Sequence, residues 1–583
     1  MQRLCHALHR SARAAPHAGA LRRAFAAGAG GEVPVVPLLI GGERVVSAAT
    51  EFFDVHNPAT GALLCRVPQT TPAELQRAFD SAAAAQRSWR DVPVTVRPGR
   101  RGALACCDPV PFAAVAQAPR RVMRPRLRRA ADAPQFAAPE QARARVMTQF
   151  AALIRTHTPE LAALITAEQG KTLADARGDV FRGLEVVETA GHAVVSTLGS
   201  YADNVASDVD TYSVRSPLGV CAGICPFNFP AMIPLWMFPL ALACGNSFVL
   251  KPSERVPGAA MLLAELAGRA GVPPGVLNVV HGGRPTVDAL CDAPGIAALS
   301  FVGGDAAGAH VSRRAAATGK RAQVNMGAKN HAVIMPDAPP EATAAALAGA
   351  AFGAAGQRCM ALSVAIFVGD CSATLDALAA HARALRVGAG DAPDTDVGPL
   401  ISVAAADRAR QLIGAAVADG ARAVVDGRVV ASLPDGLRRS GFVGPTLLTG
   451  VPASSAAYTN EIFAPVLLCM QASSLDEALR IVNGNAYGNG AAVFTRDGGV
   501  ARRFARGVNA GQVGVNVPIP VAAPFGFSFS GWGASFAGDL HFYGAEGVGF
   551  YTRAKTVTQR WRLDGDKGGK PGRAQTAMPT SKD

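Results

Sequence analysis

The sequence predicts two α/β domains in series, each a parallel sheet with helices on both faces. Three observations carry that expectation. The chain has 583 residues, too many for one compact core. It is 49% apolar and 17% charged, the balance of a globular protein and not of a disordered one. Short apolar runs also alternate with helical patterns along most of the length, as strands and helices of a parallel sheet do.

From about Val33 the chain opens with short strands and turns, PLLIGGERV and then FFDVHNPATGALLCRVP. Helical patterns follow at 71–89 and 139–168. Alternation then begins. A strand at Ser247–Glu254 leads into a helix at Pro257–Ala270. A strand at Leu277–Gly282 leads into one at Thr286–Leu290, and a strand at Ala297–Gly303 into one at Asp305–Ala317. A second set of alternations runs from about His331 to Gln512. Two such domains leave a cleft between them, where ligands tend to bind. The stretch Phe227–Leu250 is the most apolar, but it carries three prolines and is read as no membrane span.

The net charge of +13 raises the possibility of nucleic acid until it is mapped. Residues 1–31 hold five arginines and no acid, and residues 97–138 carry a surplus of seven positive charges. The rest is near neutral, so no nucleic-acid partner is expected. The eleven cysteines show no C-x-x-C pairing, so neither a disulfide framework nor a metal site is expected. Residues 1–31 are arginine- and alanine-rich and acid-free, as a mitochondrial transit peptide is, which predicts the mitochondrial matrix. Residues 564–583 read as a loose tail. The block 97–138 shows neither helical nor strand periodicity. It is read as a disordered insertion or, preferably, as translated non-coding sequence.

The turn after Phe301, VGGDAAG, offers Gly303, Gly304 and Gly308 between a strand and a helix. A helix N-terminus so placed attracts pyrophosphate. Lys251 and Glu254, at the end of a neighbouring strand, can hydrogen-bond both hydroxyls of a ribose. Alone, each motif reads equally well as a tight turn or a surface ion pair.

Four longer segments change that balance: CPFNFPAMIPLWMFPLALACGNSFVLKPSE (Cys225–Glu254), NMGAKNHAVIMPDA (Asn325–Ala338), FGAAGQRCMALS (Phe352–Ser363) and NEIFAPVL (Asn460–Leu467). Together they resemble the aldehyde dehydrogenase superfamily. GAAGQRCMALS, NMGAKNH, VGVNVPIPV and PFNFPAMIPLWMFP resemble its CoA-acylating branch, which takes methylmalonate and malonate semialdehydes. The resemblance covers Val33 to Trp561 apart from the 97–138 block.

It implies an aldehyde dehydrogenase-like fold: two Rossmann-like α/β domains with a small β oligomerisation arm. The nucleotide domain would span 32–200 and 220–327, the catalytic domain 328–530, and the arm 201–219 and 531–563. A dimer of dimers is implied. Cys359 would be the nucleophile, on a Gly-rich approach through Gly353 and Gly356. Asn228 and the N–H of Cys359 would donate to the adduct's oxyanion. The cofactor would be NAD. The backbone at Cys225 and Phe227, with Lys251, Glu254 and Arg255, would contact the adenosine half, and Glu461 the nicotinamide ribose. Gly304 stands where a serine is usual, and Ala464 where a glycine is. Arg358 and Arg182 would clamp the substrate carboxylate.

Asn325 departs from the hydrolytic members, which have a glutamate there as general base. An asparagine cannot take a proton at neutral pH. CoA is therefore expected as acyl acceptor, giving propionyl-CoA or acetyl-CoA with loss of CO2, in valine and pyrimidine catabolism. Asn325 weakens a hydrolytic reading. Asn228, Cys359 and Glu461, present together, weaken a decayed one.

Overall fold

The computed structural model describes residues 33–93, 143–193, 195–206, 208–433 and 441–561. The expected transit peptide, the 97–138 block and the 564–583 tail lie outside them. Pro93 O accepts from Arg143 N at 3.1 Å, so the chain leaves and rejoins the described structure at one point.

An eight-stranded sheet runs in the order Glu43–Val45, Leu38–Ile40, Leu277–Val279, Ser247–Lys251, Val220–Ile224, Ile296–Val302, Arg321–Asn325, Phe536–Ala537. Its five central strands are parallel, and the strands outside them are antiparallel. From Val220–Ile224 the chain adds strands on one side, then returns to add Ile296–Val302 on the other. That reversal opens a crevice at the strand ends Ile224 and Val302, where open α/β sheets bind ligands.

A seven-stranded sheet holds Asn330–Ile334 and Leu362–Val368 at its centre, with Val466–Ala472 and Gly490–Phe494 outside them. Its pairs are parallel except for the edge strand Arg422–Val425. A three-stranded antiparallel sheet pairs Thr552–Arg560 with Val209–Pro217, and that strand with the exposed Tyr201–Ala206.

The helices follow the apolar periodicity. Pro72–Trp89 starts at a capping box between Thr71 and Glu74. Trp89 is buried and donates to Leu242 O at 2.9 Å. The next helix is described from Arg143 to Gln169, and it keeps Pro159 inside. Asp305–Ala317 forms as expected, whereas the short helix near Thr286 extends over Arg284–Asp292. The apolar stretch at 227–250 becomes a twelve-residue helix, Met232–Ala243, buried all round, followed by the strand Ser247–Lys251. A helix apolar on every face belongs at the centre of a core, and this one packs Trp236 against Phe529, Phe542 and Tyr543. Among the described residues no helix is long and apolar enough to cross a membrane.

Candidate active site

A cleft of about 1000 Å³ opens between the ends of the eight-stranded sheet and the second sheet's loops. Cys225, Phe227, Asn228, Lys251, Glu254, Arg255, Gly304, Cys359 and Glu461 all line it. Residues expected separately, from segments far apart in the chain, thus meet on one surface.

At the sheet end the walls are largely backbone. Cys225 follows the strand Val220–Ile224, and its N–H donates to Lys251 O at 3.0 Å. Its thiol is buried, and burial pushes the thiol pKa upward. Lys251 is buried, donates to Pro252 O at 2.8 Å and lies 3.6 Å from Glu254. Burial lowers the Lys251 pKa against the pull of Glu254. Gly304 precedes the helix Asp305–Ala317 and supplies no side-chain cap, so that helix brings uncapped first-turn N–H groups to the cleft. A Cβ on Gly304 would meet nothing within 4 Å, and its φ is −75°. A serine would fit there, so the glycine is not demanded by space. At Gly303 a Cβ would run into the Phe301 ring. This end fits a dinucleotide: strand C-termini, a thirteen-residue helix pointing its N-terminus inward, and a carboxylate–ammonium pair beside it.

At the other end the walls are side chains. Cys359 sits just before the strand Leu362–Val368, after a strained turn in which Ala354, Ala355 and Gly356 have φ of 49°, 53° and 71°. Left-handed alanines each cost roughly 1–2 kcal/mol. The turn is therefore held by its surroundings. Asp175 accepts from Ala354 N at 2.9 Å, and a Cβ on Gly356 would strike Ala464 O. The close approach expected at Gly356 is thus real, and it is to the N-E-I-F loop. In that loop the positive φ, 59°, falls on Phe463, so the alanine after it adopts no left-handed strain. Phe463 meets Phe227 edge-on at 6.0 Å.

Asn330 and Asn489 both donate to Cys359 O, at 2.9 and 3.0 Å. Burial pushes the Cys359 thiol up to about 12, and Glu461 pushes it the same way. Glu461 Oε1 accepts from Ala328 N at 3.0 Å, and burial raises its carboxyl to about 7. Arg408 holds the same loop through Glu461 O and Ile462 O. Asn228 is buried, and its amide donates to Gln357 O at 3.1 Å. Asn325 ends the strand Arg321–Asn325 and is wholly buried. Among the described residues neither polar atom of its side chain has a partner. Asn325 Nδ2 and Asn489 Oδ1, likewise without a partner, lie 3.5 and 3.2 Å from where a Cβ on Gly531 would be.

The two arginines stand apart from the large cleft. Arg358 pairs with Asp175 and lines a small cavity on the far side of Cys359, with Glu461. Arg182 is half-exposed and pairs with Glu185 at 3.0 Å. Arg358 thus borders Cys359, whereas Arg182 lines neither cavity.

Sequence reasoning missed the segment behind these walls. Lys171 is buried and donates to Asn228 O at 2.6 Å and to Asp179 at 3.1 Å. Its only signal was a cluster of charges, E-Q-G-K-T-L-A-D, between two helices. Among the described residues no group of His, Cys, Asp or Glu is arranged to hold a metal ion.

A thiol, amide donors and a carboxylate thus converge at one end of a cleft whose other end suits a dinucleotide. The chain is similar to known proteins in sequence and in fold. A sequence model of the aldehyde dehydrogenase family matches residues 45–100 and 101–557. Over 548 residues the chain is 50% identical to the Arabidopsis thaliana protein named methylmalonate-semialdehyde dehydrogenase [acylating], mitochondrial; the match covers 94% of this chain and 81% of that one. The Homo sapiens methylmalonate-semialdehyde/malonate-semialdehyde dehydrogenase [acylating], mitochondrial, is 46% identical, over 91% of this chain and 90% of its own length. Among solved structures, a protein of Sinorhizobium meliloti described as a methylmalonate-semialdehyde dehydrogenase complexed with NAD superposes with a TM-score of 0.81. It is 40% identical, over 91% of this chain and 99% of that one.

Proposed function

Because the chain belongs to the aldehyde dehydrogenase family, we propose that it converts methylmalonate semialdehyde, and malonate semialdehyde, to propionyl-CoA and acetyl-CoA with release of CO2. NAD, when bound, accepts the hydride. After loss of its proton, Cys359 Sγ adds as the thiolate to the aldehyde carbon, and Asn228 Nδ2 with the N–H of Cys359 donates to the oxygen that becomes negative. Hydride loss leaves a thioester on Cys359. Arg358 and Arg182 hold the substrate carboxylate, which departs as CO2 because the enolate left behind shares the same donors; the enolate then takes a proton from solvent at its α-carbon. CoA then takes the acyl group from Cys359.

Lys251, Glu254 and Arg255, with the backbone of Cys225 and Phe227, bind the adenosine half. The N–H of Gly304 meets the pyrophosphate, and Glu461 the nicotinamide ribose. We assign nucleotide binding to 32–200 and 220–327 and catalysis to 328–530. The arm, 201–219 and 531–563, builds a dimer of dimers through the exposed strand Tyr201–Ala206. Residues 1–31 would direct the protein to the mitochondrial matrix; the relatives' names place them in mitochondria.

The observation that carries CoA rather than water as acceptor is Asn325, wholly buried and unable to take a proton, where hydrolytic relatives would have a general base. Stopped-flow mixing of enzyme, NAD and methylmalonate semialdehyde without CoA is expected to give about one equivalent of NADH, then a slow phase. Adding CoA restores turnover and yields propionyl-CoA. Asn325→Glu speeds the CoA-free phase, by less than the ~10²–10⁴ a well-placed base supplies. Equal turnover without CoA, with release of a free acid, would replace this reading by the hydrolytic one.

A further inference from the structure

No residue of the segment 168–179 lines either cavity, yet it holds three walls of the site. Both oxygens of Glu168 accept from Gly258 N, at 3.1 and 3.0 Å, at the start of the helix that follows the Lys251 strand. Asp175 ties down the strained turn before Cys359 through Ala354 N and pairs with Arg358. The third wall is held most tightly. Lys171 Nζ donates to Asn228 O at 2.6 Å and to Asp179 Oδ2 at 3.1 Å, and it lies 4.2 Å over the Phe229 ring. The other oxygen, Asp179 Oδ1, accepts from Met232 N at 2.7 Å.

The turn from Asn228 to Met232 is thus gripped at both ends by one ion pair. That pair is almost wholly withdrawn from solvent, with side-chain exposures of 1% and 0%. Two charges taken out of water make a weak source of stability, and apolar side chains of similar volume often serve as well or better. What an apolar pair cannot do is hold a carbonyl oxygen and an N–H at fixed positions.

We propose that Lys171, anchored by Asp179, is a positioning residue that sets the depth at which the Asn228 amide meets the reacting oxygen. Its ammonium fixes the peptide carbonyl of Asn228 itself, so a shift of Lys171 moves the donor directly. Asp179 keeps the ammonium in place and prevents the following turn from rotating. The inference rests on the oxyanion role proposed for Asn228. It goes beyond that role in placing the control of the donor in a helix start that touches no ligand.

The test is a double-mutant cycle read by the NADH burst. Asn228→Ala is expected to slow the burst about 10²–10³-fold. Lys171→Met is expected to slow it about ten- to a hundredfold, the cost of misplacing a group by about an ångström. NAD affinity, read by fluorescence, stays within about twofold, because the sheet end of the cleft is built without Lys171. The double variant is expected to be no slower than Asn228→Ala alone, since Lys171 acts only through that amide. A structural role would lower the rate of the Asn228→Ala protein by the same further factor, and that multiplication would overturn the inference while leaving Asn228 in its role. A normal burst from Asn228→Ala alone would remove the oxyanion role, and the inference with it. Where Lys171→Met yields no folded protein, Lys171→Gln, a shorter neutral donor, runs in the same cycle with the same two readings.

Discussion

At the sheet end of the cleft the walls are strand ends, a helix N-terminus and an uncapped glycine. At the thiol end the pieces are locked by side chains from elsewhere in the chain: the Asn228 carbonyl by Lys171, Arg358 by Asp175, and the carbonyl of Cys359 by Asn330 and Asn489. Backbone groups at strand ends are placed by the sheet itself, whatever side chains surround them. Side-chain donors are placed only by their neighbours, and those neighbours come from segments far apart in sequence. The difference teaches that the first end tolerates substitution and the second does not.

The sharpest break between the two ends is Cys359→Ala. Removing the attacking sulfur is expected to lower NADH production by roughly 10⁶-fold, the loss seen when a catalytic nucleophile is deleted elsewhere. NAD binding, followed by quenching of protein fluorescence, stays unchanged. Substantial steady-state turnover by this variant would move the nucleophile to another thiol. The candidates are poor, because Cys225 and Cys244 are buried, whereas Cys359 is partly exposed and lines both cavities.

A smaller effect is expected where the ends meet, at Glu461. Its carboxyl is held near 7 by burial, and its charge raises the pKa of Cys359. Below about pH 7 the carboxyl is protonated and exerts no such push. Above it, the carboxylate opposes the thiolate. Glu461→Gln therefore leaves alkylation of Cys359 by iodoacetamide unchanged at pH 6 and speeds it severalfold at pH 9. The same variant raises the KM for NAD if Glu461 holds the ribose. An alkylation profile that moves to higher pH would show that Glu461 serves as a base toward the thiol.

The contrast between the ends also decides what could be read in the sequence. Lys251, Glu254 and Gly304 were legible as neighbours because strand–helix alternation locates strand ends, and strand ends of one sheet lie side by side. The helix Asp305–Ala317 fell where its pattern put it. Cys359, Asn228 and Glu461 were legible only through long motifs, since no periodicity links residues 228, 359 and 461. The left-handed φ at Ala354 and Ala355 was not legible, because alanine gives no sign of that conformation. Nor was Lys171: its partner lies 57 residues away, and a lysine near two aspartates ordinarily reads as a solvated helix start. The Arg358–Asp175 pair spans 183 residues and has no local signature. The strand Phe536–Ala537 is two residues long, too short for a pattern.

At the tolerant end, Gly304→Ser is expected to change little. No atom lies within 4 Å of the added Cβ, and the backbone there is extended at φ −75°, ψ 160°. A serine at that position would also cap the helix Asp305–Ala317, worth about 1 kcal/mol or less relative to glycine. NAD affinity should stay within about threefold, and the melting temperature should hold or rise slightly. A loss of binding beyond tenfold would mean that the cofactor approaches Gly304 more closely than its N–H requires, and the nucleotide end would prove as exacting as the other.

The smallest effect is expected from the largest change, deletion of residues 97–138. Pro93 O and Arg143 N are hydrogen-bonded at 3.1 Å, so the chain on either side of the block is already held together. About seven residues would remain to link two points in contact, which is an ordinary loop length. Shortening a loop from about fifty residues to about seven reduces its closure entropy by roughly 1–2 kcal/mol if the longer one behaves as flexible chain. Trp89, before the block, is anchored to Leu242 O, and the helix after it packs Val146, Met147 and Phe150 into the core. Neither anchor needs the deleted block. The shortened protein is expected to melt at the same temperature or a few degrees higher, and to match the full chain in burst rate and CoA-dependent turnover within about twofold. Seven of the thirteen net positive charges leave with the block, so binding to heparin or DNA at low salt should weaken while catalysis does not. Lost turnover with an unchanged circular dichroism spectrum would make the block part of the working enzyme, and the thiol end would then depend on a segment that the anchors at Pro93 and Arg143 merely bracket.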